Sequence, residues 1–291
     1  MAVKKSSGYE NMIKKEDRMK ISMWTSFLYE WQPEAAISVL ARHGFSAAEL
    51  STEHAQMLLD RGDAETEGLK FKKHCDALGF DIHQGHFYLY IDLAVKEKAD
   101  QIKVFDNMKR WCDLFNAIGI KAGVVHACKG PLVDGSRERS AAMLESLLEY
   151  SKGMSFSFCL ENLKSAYATY EDVKGLIDMI RDPEHRLAYC LDTGHVACND
   201  GDCAEYVRKA GGGLKALHVT DCLLIGGKKD DHYFPYIHGM IDWKAFVRAL
   251  RDVDYQGLFN YEVPRERGIP EEILMVKLDY ARELAKAMLQ M

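Results

Sequence analysis

The chain has 291 residues, of which 47% are hydrophobic, and this suffices for a sizeable core in one large domain or two small ones. Its formal net charge of -6 argues against a dedicated nucleic-acid binder, because such proteins usually carry a basic surplus. No apolar run approaches the roughly 18 residues that a membrane span requires. Its eight cysteines form no CxxC pair, and no signal peptide is visible, so we expect a reducing, cytoplasmic environment.

Residues 1–18 are polar and rich in lysine, and we expect a mobile N-terminal tail there. From residue 19 onward, short apolar runs alternate with amphipathic stretches of helical spacing. We predict β-strands in eight apolar runs, at residues 20–28, 45–51, 80–89, 122–130, 156–163, 187–196, 214–222 and 258–263. Among the intervening stretches, we predict helices at residues 33–44, 140–153, 242–254 and 270–290.

The alternation of strands and helices predicts an α/β fold with parallel strands and helical crossovers. Eight units in a chain of this length indicate a closed (β/α)₈ TIM barrel, a single domain over residues 19–291. A doubly wound open sheet is the competing fold. It usually has fewer strands, and no glycine-rich dinucleotide fingerprint follows the first strand here.

Histidine and carboxylate side chains mark the ends of six consecutive predicted strands. They are His86, His126, Glu161, Asp192 with His195, His218, and Glu262, and the loop after the seventh strand adds Asp230 and His232. Because the carboxyl ends of barrel strands open on one face, we expect these residues to converge there. Imidazole and carboxylate groups together bind divalent cations. Any one of them could be an ordinary polar residue at a strand end, but chance explains six in succession poorly.

Three further residues are weaker candidates for contact with a substrate. Trp24, after the first strand, could form an apolar wall over a sugar ring, or it could simply pack at the rim. Tyr88 has the same two interpretations. Glu49 ends the second strand and could bind substrate, although an ion pair at the rim explains it slightly better.

The chain resembles the xylose isomerase-like barrel superfamily, which includes sugar-phosphate isomerases and epimerases and the endonuclease IV-type enzymes. The resemblance extends from the first strand to the end of the chain. The motifs that carry it are "HFYL", "VVHACKG", "CLENL", "LDTGH", "LHVTD", "DDH" and "YEV". Each of these motifs contains one or more of the histidines and carboxylates named above.

This resemblance implies two competing functions. In ketose epimerases, the counterparts of Glu161, Asp192, His218 and Glu262 hold one divalent metal, and the two glutamates act as acid and base. The metal is expected to be Mn, Zn, Mg, Co or Fe. In endonuclease IV-type members, the counterparts of all nine residues hold three zinc ions. Five residues lie outside the set that holds the single metal, and they would bind substrate in the first case or additional metals in the second. They are His86, His126, His195, Asp230 and His232.

Departures from the two patterns favour the sugar enzyme. DNA-cleaving relatives tend to have a glycine-rich segment after the glutamate of the fifth strand, where this chain has "ENLKSAYATY". They also tend to have DTCH in place of "DTGH". The sequence therefore predicts a metal-dependent isomerase or epimerase acting on a sugar, sugar phosphate or polyol. A zinc phosphodiesterase and a polyol dehydratase remain alternatives, and related proteins are often homo-oligomers.

The loop "DDHYFPYIHGMID" departs from a common sugar-family pattern, in which a glycine follows the proline. That loop usually shapes the substrate pocket. The sequence therefore does not identify the sugar.

Overall fold

Eight parallel strands form the centre of the computed structural model, which describes residues 19–291. They are β1 (Lys20–Trp24), β2 (Ala47–Leu50), β3 (Asp81–His86), β4 (Ala122–Val125), β5 (Ser157–Glu161), β6 (Leu187–Asp192), β7 (Leu214–His218) and β10 (Leu258–Tyr261). Each strand lies within one of the apolar runs predicted to be strands. The tail predicted for residues 1–18 lies outside the described residues.

The strands follow the order β10-β1-β2-β3-β4-β5-β6-β7, with parallel pairing throughout. The ring closes between β7 and β10, where Val219 is bridged to Tyr261 in parallel register. At the same point the Val219 amide donates to the Asn260 carbonyl at 2.7 Å. The predicted (β/α)₈ barrel is therefore confirmed.

Helices cover the outside of the barrel. They are α1 (Pro33–Arg42), α2 (Thr52–Arg61), α3 (Ala64–Ala77), α4 (Lys98–Ile118), α5 (Ser136–Tyr150), α6 (Tyr170–Ile177), α7 (Thr193–Cys198), α8 (Cys203–Ala210), α9 (Trp243–Asp252) and α10 (Glu271–Leu289). The four predicted helices correspond to α1, α5, α9 and α10. Helix α5 begins four residues earlier than expected, after Gly135, whose φ of 73° suits glycine. No helix within residues 19–291 combines the length and apolar character needed to cross a membrane.

The segment after β7, expected to be a long loop, forms an antiparallel hairpin. Its strands are β8 (Asp221–Ile225) and β9 (Lys228–Tyr233). Gly226 and Gly227 form the turn with φ values of 57° and 78°, the positive values that a tight hairpin turn of the primed type requires. Two residues of the type Gly-Gly between two strand-like runs indicate a β-hairpin. This pair was the signal in the sequence that could have predicted the hairpin.

The core has two parts. Large apolar side chains such as Trp111, Phe115 and Phe158 pack between the helices and the barrel wall. Small side chains form a separate cluster, and they are Ala122, Val124, Cys159, Ala188, Cys190 and Ala216 on β4 to β7. On these strands they alternate with the main-core residues, as the two-residue period of a β-strand requires. Their small volume leaves the polar residues at the strand ends close to one another.

Candidate metal centre at the carboxyl ends of the strands

Four buried side chains meet at the carboxyl end of the barrel. They are Glu161, Asp192, His218 and Glu262, which we call the four-residue cluster. One ligand atom from each lies within 4.8 Å of one from every other member. The first three are the last residues of β5, β6 and β7, and the fourth directly follows β10. The parallel topology thus brings together residues that are up to 101 positions apart, from 161 to 262.

The polar atoms of the four-residue cluster fit a divalent cation. Asp192 Oδ2 and His218 Nδ1 are buried and have no hydrogen-bond partner among residues 19–291. His218 Nδ1 lies 3.0 Å from Glu262 Oε2 and 3.3 Å from Glu161 Oε1, without hydrogen-bond geometry. Buried polar atoms are normally bonded, so these orphaned atoms indicate a missing common partner. Three carboxylates and one imidazole suit several divalent ions.

The start of helix α7 holds Asp192 in place. Asp192 Oδ1 accepts the amide N–H of His195 at 2.7 Å and the hydroxyl of Thr220 at 3.2 Å. The Asp192 amide in turn donates to Asn162 Oδ1 at 2.9 Å. A Cβ at Gly194 would lie 2.3 Å from Thr220 Oγ1, so this close approach requires glycine. One oxygen of Asp192 is therefore used for capping, and the other faces the cluster.

Two smaller groups flank the four-residue cluster. On one side, His126 Nε2 and His86 Nε2 lie 2.9 and 3.2 Å from Glu161 Oε2. On the other side, one ligand atom each of Asp192, His195 and His232 lie within 4.8 Å of one another. The structure therefore brings together eight of the nine histidines and carboxylates predicted from the strand ends. Their individual roles stay predictions.

Asp230 is the predicted site residue that the structure does not bring into the cluster. Its side chain is exposed and accepts the hydroxyl of Tyr233 at 2.7 Å. The neighbouring Asp231 is buried instead. Its Oδ1 lies 2.8 Å from Lys164 Nζ and 2.9 Å from His232 Nδ1. Adjacent strand residues face opposite sides, so the register of the hairpin decides which aspartate turns inward.

The structure places the three weak substrate candidates differently. Glu49 has no exposed surface, and its Oε1 lies 3.1 Å from His218 Nε2, so it lies behind a cluster member and does not line the mouth. Tyr88 is half-buried and packs on Trp111 of helix α4, with ring centroids 6.1 Å apart, and its contact with a substrate stays a prediction. Trp24 is 8% exposed at the end of β1, and its contact with a substrate stays a prediction.

The pKa values of the carboxylates in the cluster depend on His218 and on the flanking histidines. Burial alone would raise the pKa of Glu161, but His218 and His126 hold it well below its usual range. Burial opposes ionisation of Glu262 too, and His218 again lowers its pKa. For Asp192, burial prevails over the nearby histidines and raises the pKa. Two of the three carboxylates are therefore strongly held in the charged form.

The flanking histidines experience the opposite effect. Burial by itself lowers the pKa of His195, but the Asp192 and Glu161 carboxylates outweigh it and raise the value to about 9. Burial is likewise outweighed at His232, where Asp231 and Glu262 raise the pKa to about 11. In the absence of a cation, these imidazoles therefore supply the positive charge that balances the carboxylates.

A family model described as "Xylose isomerase-like TIM barrel" matches residues 37–284. The L-ribulose 3-epimerase of Methylomonas sp. (strain DH-1) is 25% identical over 181 residues, which cover 59% of this chain and 58% of that protein. The uncharacterized protein y4fM of Sinorhizobium fredii (strain NBRC 101917 / NGR234) is 31% identical over 86 residues, or 30% of this chain and 26% of that protein. The chain thus matches less than two thirds of the length of either relative.

A crystal structure of D-psicose 3-epimerase, determined in the presence of D-fructose, superposes with a TM-score of 0.76. The superposition covers 93% of this chain and 99% of that chain, at 15% sequence identity. At this identity the likeness shows a shared fold.

Proposed function

The chain belongs to the xylose isomerase-like TIM barrel family, and we propose that it is a metal-dependent sugar epimerase that inverts a ketose at carbon 3. The observation that carries this proposal is the four-residue cluster with its two unpartnered buried atoms. The likeness to an L-ribulose 3-epimerase and to a D-psicose 3-epimerase supports the choice of reaction. We further propose that the substrate is a small sugar or polyol, and that the enzyme works in the cytoplasm.

The four-residue cluster would hold the divalent ion, which when bound would polarise the substrate carbonyl and so acidify the neighbouring C–H bond. Glu161 ends β5 and Glu262 follows β10, and these strands are three steps apart around the ring, by way of β6 and β7. They therefore approach the centre of the mouth from different sides. Two carboxylates in this arrangement can act on opposite faces of one carbon.

The proposed reaction is a proton transfer in two halves. One glutamate removes the proton from the carbon beside the carbonyl, which leaves an enediolate. The other returns a proton to the opposite face, and the configuration at that carbon is inverted. The lowered pKa values of Glu161 and Glu262 keep the glutamate that starts the reaction ionised. The glutamate that returns a proton takes that proton from the solvent, and the first glutamate releases the proton it has removed to the solvent.

Polar groups around the cluster would orient the sugar. His86 and His126 stand on the Glu161 side, and His195 and His232 stand on the other. Imidazole nitrogens can donate to hydroxyl oxygens on the substrate. Lys164, bonded to Asp231, adds a partly exposed ammonium group at the same rim.

A zinc phosphodiesterase is the second candidate function, and one observation favours it. Besides the four-residue cluster, four further groups within residues 19–291 have metal-ligand spacing, and two of them combine two flanking histidines with one carboxylate of the cluster, namely His86 with His126 and Glu161, and Asp192 with His195 and His232. Up to three zinc ions would then be bound. The net charge of -6 weighs against this function, because a phosphate backbone requires cationic contacts.

A metal count per chain, on protein purified without chelator, separates the two functions. We expect one divalent ion per chain, together with conversion of a ketose to its carbon-3 epimer in a panel of free and phosphorylated sugars. Three zinc ions per chain and cleavage of a phosphodiester substrate would overturn the epimerase proposal. A single ion with formation of an alkene or loss of water would identify a polyol dehydratase instead.

A further inference from the structure

A buried polar chain lies beneath the four-residue cluster, in the part of the barrel formed by β10, β1 and β2. Its members are Ser22, Glu49 and Asn260, and all three are 0% exposed. Ser22 stands directly opposite Asn260 in the parallel register of β1 with β10. Glu49, on the other neighbour of β1, stands opposite Trp24. The chain reaches the cluster at His218, whose Nε2 lies 3.1 Å from Glu49 Oε1.

The hydrogen bonds of this chain converge on Glu49 from both sides. A carboxylate oxygen accepts, so Asn260 turns its amide nitrogen towards Glu49 and its Oδ1 towards Ser22, whose hydroxyl donates to Oδ1 at 2.7 Å. The Asn260 Nδ2 group then donates to Glu49 Oε2. An ionised carboxylate is an acceptor at both oxygens, so the bond at Oε1 requires a proton on His218 Nε2. The remaining nitrogen, Nδ1, faces the cluster.

We propose that Glu49 is the positioning residue of the metal site. It holds the His218 ring with Nε2 as the donor, and so aims the lone pair of Nδ1 at the three carboxylates of the four-residue cluster. Nδ1 is buried and lacks a hydrogen-bond partner within the described part of the chain, as this role requires. A carboxylate behind a metal-binding histidine fixes the ring and strengthens its bond to the metal. The inference depends on the proposed metal site but not on the sugar reaction.

Burial excludes a role for Glu49 in contact with the substrate. The side chain has no exposed surface, and each of its oxygens already accepts one hydrogen bond, from His218 or from Asn260. Glu49 therefore acts through His218. The relevant readout is the affinity for a metal ion, which can be measured without any sugar.

Glu49→Gln tests the inference with almost no change in volume. An amide offers one acceptor oxygen where the carboxylate offers two, so with the Asn260 amide in its present orientation either Asn260 or His218 loses its bond. We expect the dissociation constant for Mn²⁺ to rise by about 10- to 100-fold. Isothermal titration of Mn²⁺ into the metal-free protein measures this. Glu67→Gln is the matched control, because this buried glutamate of α3 pairs with Lys70 in the outer layer. The Mn²⁺ affinity of this control variant is expected to equal that of the unmodified protein.

A second substitution restores the directions of the bonds. In the double variant Glu49→Gln with Asn260→Asp, the new amide at position 49 donates to the new carboxylate at position 260. Its oxygen is then free to accept from His218 Nε2, and Ser22 still donates to position 260. We expect most of the lost Mn²⁺ affinity to return. Thermal unfolding of the metal-free proteins shows whether each variant folds. If Glu49→Gln does not fold, the double variant still provides the test.

Two results would overturn the inference. One is an unchanged Mn²⁺ affinity in Glu49→Gln. The other is an affinity in the double variant as weak as, or weaker than, that of Glu49→Gln, because the direction of the bonds would then be irrelevant. Neither result depends on turnover of a sugar, so failure of the epimerase proposal and failure of this inference remain distinguishable.

Discussion

The two halves of the barrel interior differ sharply just beneath the metal centre. On β4 to β7, the residue two positions before each site residue is small and apolar: Val124, Cys159, Cys190 and Ala216. On β10, β1 and β3, the same position holds Asn260, Ser22 and Gln84, and β2 contributes Glu49, all buried. One half is therefore an apolar floor, and the other is a hydrogen-bonded polar floor.

The difference shows two ways to orient a metal ligand. Above the apolar floor, Asp192 is oriented from the side, by the start of its own helix and by the hydroxyl of Thr220. Beside the polar floor, His218 is oriented through its ring by Glu49. The lateral support of Asp192 consists of backbone and hydroxyl groups, whereas the support of His218 consists of a buried carboxylate and the residues bonded to it.

Removal of the metal is expected to have the largest effect and to affect the two halves unequally. Dialysis against a chelator should abolish turnover, and the lost ion should reduce the free energy of unfolding by about 2.7 kcal/mol if its concentration was 100 times the dissociation constant. Deuterium uptake of backbone amides should rise more in residues 192–198 than in residues 47–50, because Asp192 Oδ2 then stays unpaired whereas both oxygens of Glu49 stay bonded. Equal increases in both segments would contradict the comparison.

Glu161→Gln is expected to have the next largest effect. Loss of an acid or base group reduces turnover by roughly 100- to 10 000-fold, and no group in the apolar floor can replace the carboxylate. Initial rates with a saturating ketose and circular dichroism measure activity and fold together. Glu67→Gln again serves as the control, and it should keep both. Retained activity in Glu161→Gln would reject the acid–base role.

Exchanging the character of the two floors should give the smallest effects. Ser22→Ala leaves Asn260 Oδ1 without its donor, which we expect to cost about 1–3 kcal/mol of unfolding free energy. Val124→Thr keeps the shape of the side chain but places a hydroxyl in the apolar floor, at a cost of about 1–3 kcal/mol. Urea unfolding of the metal-free proteins measures both. If Val124→Thr were as stable as the unmodified protein, the floor of β4 to β7 would not require an apolar side chain at this position.

The sequence predicted the barrel and most of the site, because both follow from local patterns. Each strand is an apolar run, and parallel topology then brings the polar residues that end the runs to one face. Asp192 and His195 are an example, since three positions of spacing place both at the same strand end.

Other features depend on contacts that no local pattern encodes. Glu49 and His218 are 169 positions apart and meet across the barrel, so the role of Glu49 needed the fold. The choice between Asp230 and Asp231 depended on a hairpin register that the repeated aspartate leaves ambiguous. The packing of Tyr88 on Trp111 of helix α4 likewise joins residues that are distant in the sequence.

Proton exchange at the sugar carbon tests the central claim most directly. The metal-loaded protein is incubated with a ketose substrate in deuterated water, and the epimeric product is examined by proton NMR and mass spectrometry. Removal of a proton by one glutamate and its return by the other predicts one deuterium at carbon 3 of the product. Epimer formed without deuterium at carbon 3 would contradict this account, as would the absence of both epimer and exchange when the metal site is full.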